Sequence, residues 1–313
     1  MPHDNFPRSS SEMEAFFDDP ILDPPHGSLP YTRRPPTVTG DLDERMAGKP
    51  LKELCALISG LKIDEAEKLI EFGAMWINNR QILDPKLSLP GAGEFRLNFP
   101  AYGPVRFYEV DPQRIVFEDD ALLVYDKESG RPSQAVPHDA HNNVLASLTR
   151  LRGGILRLPH RLDAGTSGLL IVAKSLVAAS ALGKAFQKGQ IKKRYLALSV
   201  GDKPPWDSRS VNASIAKSGR GLLVRENGPG LAARTDFKLL SWDCGMALIL
   251  AKPLTGRTHQ IRLHLSYLGY PIKGDQYYGG EAGRRLMLKA TGLAFKHPIS
   301  GEPMVLGDGF EEL

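Results

Sequence analysis

Residues 160–168 have the sequence His-Arg-Leu-Asp-Ala-Gly-Thr-Ser-Gly and run directly into the apolar segment 169–173. This order is typical of a polar loop that leads into a buried strand, with glycines that permit tight turning and close approach of a ligand. The loop carries one carboxylate, Asp163, which suits nucleophilic or general-base chemistry. An aspartate in a loop is more often a turn former or an ion-pair partner, so the residues alone favour that role over a catalytic one.

The segments around this loop predict an α+β domain over residues 112–313. Its strand patterns follow one another without the strict strand–helix alternation of a doubly wound sheet. Predicted strands cover residues 115–117, 121–126, 169–173, 194–200, 235–240 and 246–251, and predicted helices cover residues 176–187 and 258–268.

Two further segments precede this domain. Residues 1–45 contain eight of the 24 prolines and carry a net charge of −5, which predicts a flexible, acidic, Pro-rich arm. Residues 46–100 combine two short helical patterns with three short strand patterns. They predict one small α+β module in front of the larger domain.

Charge is distributed unevenly along the chain. The net charge of the chain is +4. Residues 111–313 alone have a net charge of +9, and residues 46–110 have a net charge of zero. The basic excess favours a polyanionic partner for the larger domain, although an ordinary soluble domain with a slight excess is the alternative. No apolar run approaches the roughly 20 residues that span a bilayer. Residues 1–20 also lack the apolar core of a secretory signal, so a cytoplasmic protein without membrane contact is predicted.

The sequence shows no metal-ligand spacing. Its two cysteines exclude a disulfide framework and a cysteine-based zinc site. His259 and His264 are five residues apart, so they do not share a helix face as two metal ligands four residues apart would.

Residues 160–168 match every defined position of the signature His-Arg-Leu-Asp-x-x-Thr-Ser-Gly of the RluA-type pseudouridine synthases. Residues 193–197 (Lys-Arg-Tyr-Leu-Ala) and 256–262 (Gly-Arg-Thr-His-Gln-Ile-Arg) resemble two further motifs of that family, and residues 274–279 and 295–301 complete five blocks in its order. The resemblance implies the pseudouridine synthase fold, with a mixed, largely antiparallel sheet. It also implies isomerisation of uridine to pseudouridine in structured RNA, without a cofactor.

The resemblance implies three catalytic residues. Asp163 is the catalytic carboxylate, which attacks the sugar, adds to the ring or abstracts a proton; the sequence does not choose among these courses. Tyr195 resembles the tyrosine that stacks on the target base and removes the proton at carbon 5, with a core aromatic as the alternative. Arg257 resembles the arginine that pairs with the catalytic aspartate and holds it ionised.

Eight residues are candidates for RNA binding. Arg161 resembles the side chain that enters the space vacated when the target base is flipped out. The lysine-rich run around residues 184–194 is either a solvated helix face or a phosphate contact. His259 either holds local structure or contacts RNA beside Gln260. The full set is Arg161, His160, Lys188, Lys192, Lys193, His259, Gln260 and Arg262.

Residues 65–79 resemble part of the small RNA-binding domain of ribosomal protein four. The module is charge-neutral, so it serves either as an RNA contact or as a scaffold. Such a domain favours large-subunit ribosomal RNA as the substrate, with transfer RNA as the alternative. A monomer is predicted.

Two other functions compete with a synthase. One is a non-catalytic RNA-binding or ribosome-assembly factor that retains the fold. The other is an aspartyl-nucleophile glycosidase, which would need a second carboxylate such as Asp275. The chain also departs from the family pattern at Glu128, Arg131 and Lys289, and these changes are predicted to adjust how RNA is held.

Overall fold

A computed structural model describes residues 6–17, 37–98, 108–137, 139–219, 221–226 and 228–307. The chain divides into two compact units: residues 1–21, 111–133 and 154–313 form the first, and residues 22–110 and 134–153 form the second. Within the described ranges, no helix has both the length and the apolar character needed to cross a membrane.

The helices are α1 (Ser10–Phe17), α2 (Leu51–Ser59), α3 (Ile63–Glu71), α4 (Val144–Arg152), α5 (Leu176–Gln187) and α6 (Gln260–Tyr267). The strands are β1 (Thr37–Leu42), β2 (Met75–Ile77), β3 (Arg80–Gln81), β4 (Gly93–Asn98), β5 (Ile115–Glu118), β6 (Leu122–Lys127), β7 (Ser167–Ala173), β8 (Lys192–Val200), β9 (Ser208–Asn212), β10 (Ser214–Ser218), β11 (Gly221–Arg225), β12 (Arg234–Asp243), β13 (Met246–Pro253), β14 (Leu288–Lys296) and β15 (Pro303–Gly307).

The first unit is built on a nine-stranded sheet. Its strands lie in the order β5-β6-β7-β14-β8-β13-β12-β9, and β15 also pairs with β14. The pairing of β14 with β7 is parallel, whereas the other pairs in this sheet are antiparallel. The predicted mixed, largely antiparallel sheet is therefore confirmed.

Strand β7 continues directly from the signature loop and is buried along its whole length. Its apolar residues pack against α5 through Ala178 and Leu182. At its start, Gly168 has a φ of +102°, and a Cβ there would lie 2.1 Å from the carbonyl oxygen of Ala290 on β14. Only glycine permits this approach of the two strands. The parallel pairing thus fixes the end of the loop that carries Asp163.

Helix α6 begins two residues later than predicted. The pattern indicated a helix from residue 258, but His259 has a φ of +56°, outside the helical range, and the helix runs from Gln260 to Tyr267. Strands β9, β10 and β11 were not predicted, because their residues alternate only weakly between apolar and polar.

The second unit contains α2, α3, α4 and a four-stranded sheet in the order β1-β4-β2-β3. The predicted module over residues 46–100 lies within it, but the unit is larger in two respects. Strand β1 pairs antiparallel with β4. Residues 134–153, which the sequence assigned to the catalytic domain, also belong here. Hydrogen bonds explain the difference: Trp76 Nε1 donates to the carbonyl of Pro137 at 2.6 Å, and Ala140 N donates to that of Phe72 at 2.7 Å.

The predicted flexible arm over residues 1–45 is wrong for two of its segments, β1 and α1. Helix α1 packs into the core of the first unit, where Met13 is 0% and Phe17 is 4% exposed. Its start is a capping box, in which the Glu12 carboxylate accepts from Ser9 N while Glu12 N donates to Ser9 Oγ. This Ser-x-x-Glu spacing was a signal in the sequence that the proline content concealed. Residues 18–36 lie outside the described residues.

Truncation of Met13 should destabilise the protein. Met13→Ala leaves a cavity in a fully buried site, so the free energy of unfolding is expected to fall by about 2–5 kcal/mol in denaturant titrations. Ala15→Ser, at an exposed position of the same helix, is expected to change it by less than about 0.5 kcal/mol. An unchanged unfolding midpoint for Met13→Ala would show that α1 does not contribute to the core in solution.

Candidate active site

The loop that carries Asp163 is hydrogen-bonded to the segment that follows β6. Ser133 Oγ donates to the carbonyl of Leu162 at 2.7 Å, and Ser129 Oγ donates to that of Gly165 at 2.7 Å. Thr166 N donates to the carbonyl of Asp163 itself at 3.0 Å, closing a turn. The backbone is therefore pinned on both sides of Asp163, whose side chain remains 30% exposed.

Lys127 at the end of β6 is a site residue that the sequence analysis missed. Its side chain is fully buried, and Nζ donates to the carbonyls of Glu128, Arg131 and Ala164 at 2.8–3.0 Å. Burial lowers the pKa of Lys127 to about 7, against the opposing charges of Glu128 and Asp163. Lys127 thus links the loop that carries Asp163 to the segment that follows β6 by hydrogen bonds. A lysine that ends a strand of buried residues was the available signal.

Arg262 is the cation that contacts Asp163. It projects from α6, is 3% exposed, and places Nη1 3.5 Å from Asp163 Oδ2. Its other nitrogens form a bidentate ion pair with Asp275, at 2.6 Å from Nε and 2.8 Å from Nη2. Burial lowers the pKa of Arg262, but the bonds and charges of Asp275 and Asp163 raise it overall. Arg262 therefore stays charged and oriented beside Asp163.

The prediction that Arg257 pairs with Asp163 is wrong. Arg257 is exposed, and its Nε donates to the carbonyl of Ala232 at 3.0 Å. It lies in the turn before α6, where its N–H donates to Gln260 Oε1 at 3.0 Å. Both arginines occur in one motif, five residues apart. The later one is inside the helix, on the face that turns towards Asp163.

His259 also approaches Asp163, with Nε2 at 3.8 Å from Oδ2. On its other side, Nδ1 lies 2.7 Å from the hydroxyl of Tyr278. Burial lowers the pKa of His259, while the charge of Asp163 raises it and that of Arg262 lowers it. Of the two roles left open for His259, the structure supports the structural one. The sequence offered Asp275 only as a second carboxylate for a glycosidase and Tyr278 only within the block 274–279, and the structure adds both to the site.

Tyr195 lies in the same neighbourhood, on β8, opposite Ala251 of β13 and Ala290 of β14. Burial, and then the negative charge of Asp163, raise the pKa of Tyr195. The tyrosine is therefore a neutral phenol in the protein without RNA. The structure brings Asp163, Tyr195, Arg262 and His259 together.

Three of the predicted RNA-binding residues serve contacts within the protein. His160 Nε2 accepts from Ile171 N at 2.9 Å, the ring stacks on Phe186, and burial lowers the pKa of His160 to about 3. Gln260 is buried and bonds to the side chain of Thr255 at 2.6 Å, among other groups. Lys193 Nζ donates to the carbonyl of Thr255 at 2.9 Å, and burial lowers its pKa to about 8. We therefore assign His160 and Gln260 to the fold.

The remaining candidates face solvent. Arg161, Lys188 and Lys192 are exposed, on the signature loop, at the end of α5 and at the start of β8. Two of the departures from the family pattern also contact protein groups: Glu128 accepts from the hydroxyl of Tyr125 at 2.7 Å, and Lys289 lies over the ring of Phe16 at 5.5 Å. Within the part of the chain that is described, no three His, Cys, Asp or Glu side chains are arranged to hold a metal ion.

Comparisons with known proteins agree with this geometry. A family model for RNA pseudouridylate synthase matches residues 121–267. Ribosomal large subunit pseudouridine synthase C of Vibrio cholerae is 32% identical over 284 residues, covering 83% of this chain and 89% of the relative. Ribosomal large subunit pseudouridine synthase D of Zymomonas mobilis is 32% identical over 295 residues, covering 85% of this chain and 92% of the relative.

A solved structure shows the same likeness. Human RNA pseudouridylate synthase domain containing 1 superposes with a TM-score of 0.54 at 28% identity, over 65% of this chain and 86% of that one. The signature loop, the mixed sheet and the near full-length relatives lead to one conclusion: the chain belongs to the RNA pseudouridylate synthase family.

Proposed function

We propose that Asp163 is the carboxylate with which this pseudouridine synthase isomerises uridine, and that its substrate is large-subunit ribosomal RNA. The observation that carries the proposal is the placement of Asp163: a partly exposed carboxylate, 3.5 Å from a buried arginine that a second carboxylate holds in position. An oriented and accessible carboxylate oxygen is what nucleophilic or basic catalysis requires.

The reaction breaks the bond between uracil N1 and the sugar C1′ and forms a bond between C5 and C1′. The proton on C5 is lost and N1 gains one, so the reaction needs no oxidant or reductant. Asp163 begins it by attack on the sugar, addition to the ring or abstraction of a proton, and the charge of Arg262 is compatible with each course. Tyr195, as a neutral phenol, is placed to stack on the base; it accepts the C5 proton only after losing its own.

RNA must present the uridine outside its stack, because a paired base hides the bond that breaks. Arg161 supports this step, since it is exposed two residues before Asp163 and able to contact RNA beside the site. Lys188 and Lys192 are free of acidic neighbours in sequence and suit phosphate contacts that position the RNA.

The relatives support ribosomal RNA as the substrate class, because those in Vibrio cholerae and Zymomonas mobilis are named for the large ribosomal subunit. We propose further that the second unit is an RNA-binding-type module, which its two consecutive helices followed by a small sheet support. A cytoplasmic location and a monomeric state stay predictions. The alternative remains a non-catalytic RNA-binding or assembly factor.

Tritium release tests the proposed function. RNA labelled with tritium at uridine C5 loses the label only when C5 forms its new bond. Release is expected from a large-subunit ribosomal RNA transcript, with little from a transfer RNA mixture. Release from transfer RNA alone would correct the substrate class. No release from total cellular RNA would leave the assembly-factor alternative.

The salt dependence of RNA affinity measures how many phosphates the protein contacts. If the catalytic unit neutralises about five phosphates, log affinity should fall with log salt at a slope of about −3.5 to −4.5. Lys188→Gln combined with Lys192→Gln should make that slope shallower by about 1.4–1.8. The same change at Lys238, an exposed lysine of β12, is the control and should leave it unchanged. A flat salt dependence of the unaltered protein would remove the phosphate assignment.

A further inference from the structure

Two side chains of the segment from Asp275 to Gly279 contact residues that themselves approach Asp163. Asp275 holds Arg262 by its bidentate ion pair, and Tyr278 contacts His259 at 2.7 Å. The intervening residues form a short 3-10 turn. Ser266 Oγ of α6 donates to the carbonyl of Tyr278 at 2.7 Å, which fastens this turn to the helix that carries Arg262.

His259 has an unusual backbone for a residue other than glycine. Its φ of +56° places it in the left-handed region immediately before α6. That conformation directs one ring nitrogen to Tyr278 and the other towards Asp163. A strained residue at a functional site is a reason to ask what its side chain does there.

A neutral imidazole carries its proton on one nitrogen only, and the group at the other nitrogen selects which. Burial, the largest influence, lowers the pKa of His259 and so favours the neutral ring. Burial also raises the pKa of Tyr278, so its hydroxyl keeps its proton and is available as a donor. When that hydroxyl donates to Nδ1, the proton of His259 must lie on Nε2, where it points at the Asp163 carboxylate. The opposite tautomer would set a lone pair against a negative charge.

We propose that Tyr278 is a positioning residue that holds His259 as the Nε2–H tautomer and thereby aims a neutral donor at Asp163. The inference rests on the proposed function of Asp163. The Nε2–Oδ2 distance of 3.8 Å is longer than a hydrogen bond in the protein without RNA. Hydrogen bonds at catalytic groups commonly shorten when substrate binds. A neutral donor orients the carboxylate without the full neutralisation that a second cation would cause.

The surroundings of His259 contain charges of both signs. Asp163, Arg262 and Asp275 act on it electrostatically, and Tyr278 contacts it directly. Burial, the largest influence, lowers the pKa of His259 overall, while the two carboxylates raise it and Arg262 lowers it. The neutral ring is therefore favoured by burial and not by an absence of nearby negative charge.

The tautomer can be measured directly. Nitrogen-15 NMR of the histidine side chains distinguishes Nε2–H from Nδ1–H rings, and His259→Asn assigns the signal, because asparagine tolerates the left-handed backbone. Unaltered protein at pH 7.5, without RNA, is expected to show the Nε2–H form. Tyr278→Phe should shift His259 to a mixture of both forms. A His259 ring protonated on Nδ1 in the unaltered protein would overturn the proposal without any variant.

Kinetic measurements distinguish a positioning role of Tyr278 from a role in packing alone. Loss of a group that orients another commonly costs about 10–100-fold. Tyr278→Phe, which removes one hydroxyl, should therefore lower kcat about 10-fold or more and leave KM within about 2-fold. Tyr277→Phe removes a hydroxyl from the neighbouring, half-exposed ring and should change neither the tautomer nor kcat.

Two results distinguish this inference from the proposed function. Tyr278→Phe with an unchanged tautomer and unchanged kcat overturns the inference and leaves Asp163 chemistry intact. Unaltered protein that shows Nε2–H but releases no tritium supports the tautomer assignment and overturns the proposed function.

Discussion

Asp163→Asn should reduce tritium release by at least about 10³-fold, the scale expected when a group that acts directly in the chemistry is lost. Asparagine has nearly the same shape but cannot act as an anionic nucleophile or base. The fold should tolerate the change, since the side chain is partly exposed and Arg262 retains its bidentate partner Asp275. Single-turnover release assays measure the rate, and thermal unfolding confirms that the variant is folded.

Asp120→Asn is the matched control for Asp163→Asn. Asp120 is exposed in the turn between β5 and β6, and its replacement removes the same charge. Release by this variant should stay within about 2-fold of the unaltered protein, as expected for a surface change away from the site. If Asp163→Asn keeps more than a tenth of the original rate, Asp163 is not the catalytic carboxylate.

Arg262→Met should lower both turnover and stability. Loss of the guanidinium removes the positive charge beside Asp163, and turnover is expected to fall by about 10²–10³-fold, as when one electrostatic stabiliser is lost. The change also leaves Asp275 buried without its partner. Breaking a buried ion pair from one side costs about 3–5 kcal/mol in the free energy of unfolding. Release assays and denaturant titrations measure the two effects separately.

Arg257→Met tests which arginine acts on Asp163. The motif suggested Arg257, whereas Arg262 lies beside Asp163 in the structure. Arg257 is exposed, with one side-chain bond to a backbone carbonyl, so the change should cost less than about 1 kcal/mol and alter turnover by less than about 3-fold. A severe loss of turnover in Arg257→Met, with normal turnover in Arg262→Met, would restore the assignment made from sequence.

The sequence by itself determined the family resemblance and the position of Asp163, and the resemblance implied the mixed, largely antiparallel sheet. The resemblance and the position of Asp163 depend on local chemistry. The signature loop combines glycines and small hydroxyl residues within nine positions. Continuous apolar runs marked the central strands β7 and β13, and alternation of apolar and polar residues marked β8. The predicted strands 235–240 and 246–251 correspond to β12 and β13, which the structure joins by a turn where Cys244 and Gly245 have positive φ.

Only the tertiary structure decided which residues surround Asp163. Arg257 and Arg262 are equivalent as letters in a motif, and the left-handed backbone of His259 determines where α6 begins and which arginine turns inward. Lys127 and Tyr278 lie far from Asp163 in sequence and reach it through pairings of the sheet and contacts of α6. Such contacts depend on how distant segments pack, and a local pattern does not specify them. The same reason applies to α1. The local sequence does not show that Met13 is buried, because the core that covers Met13 comes from distant segments.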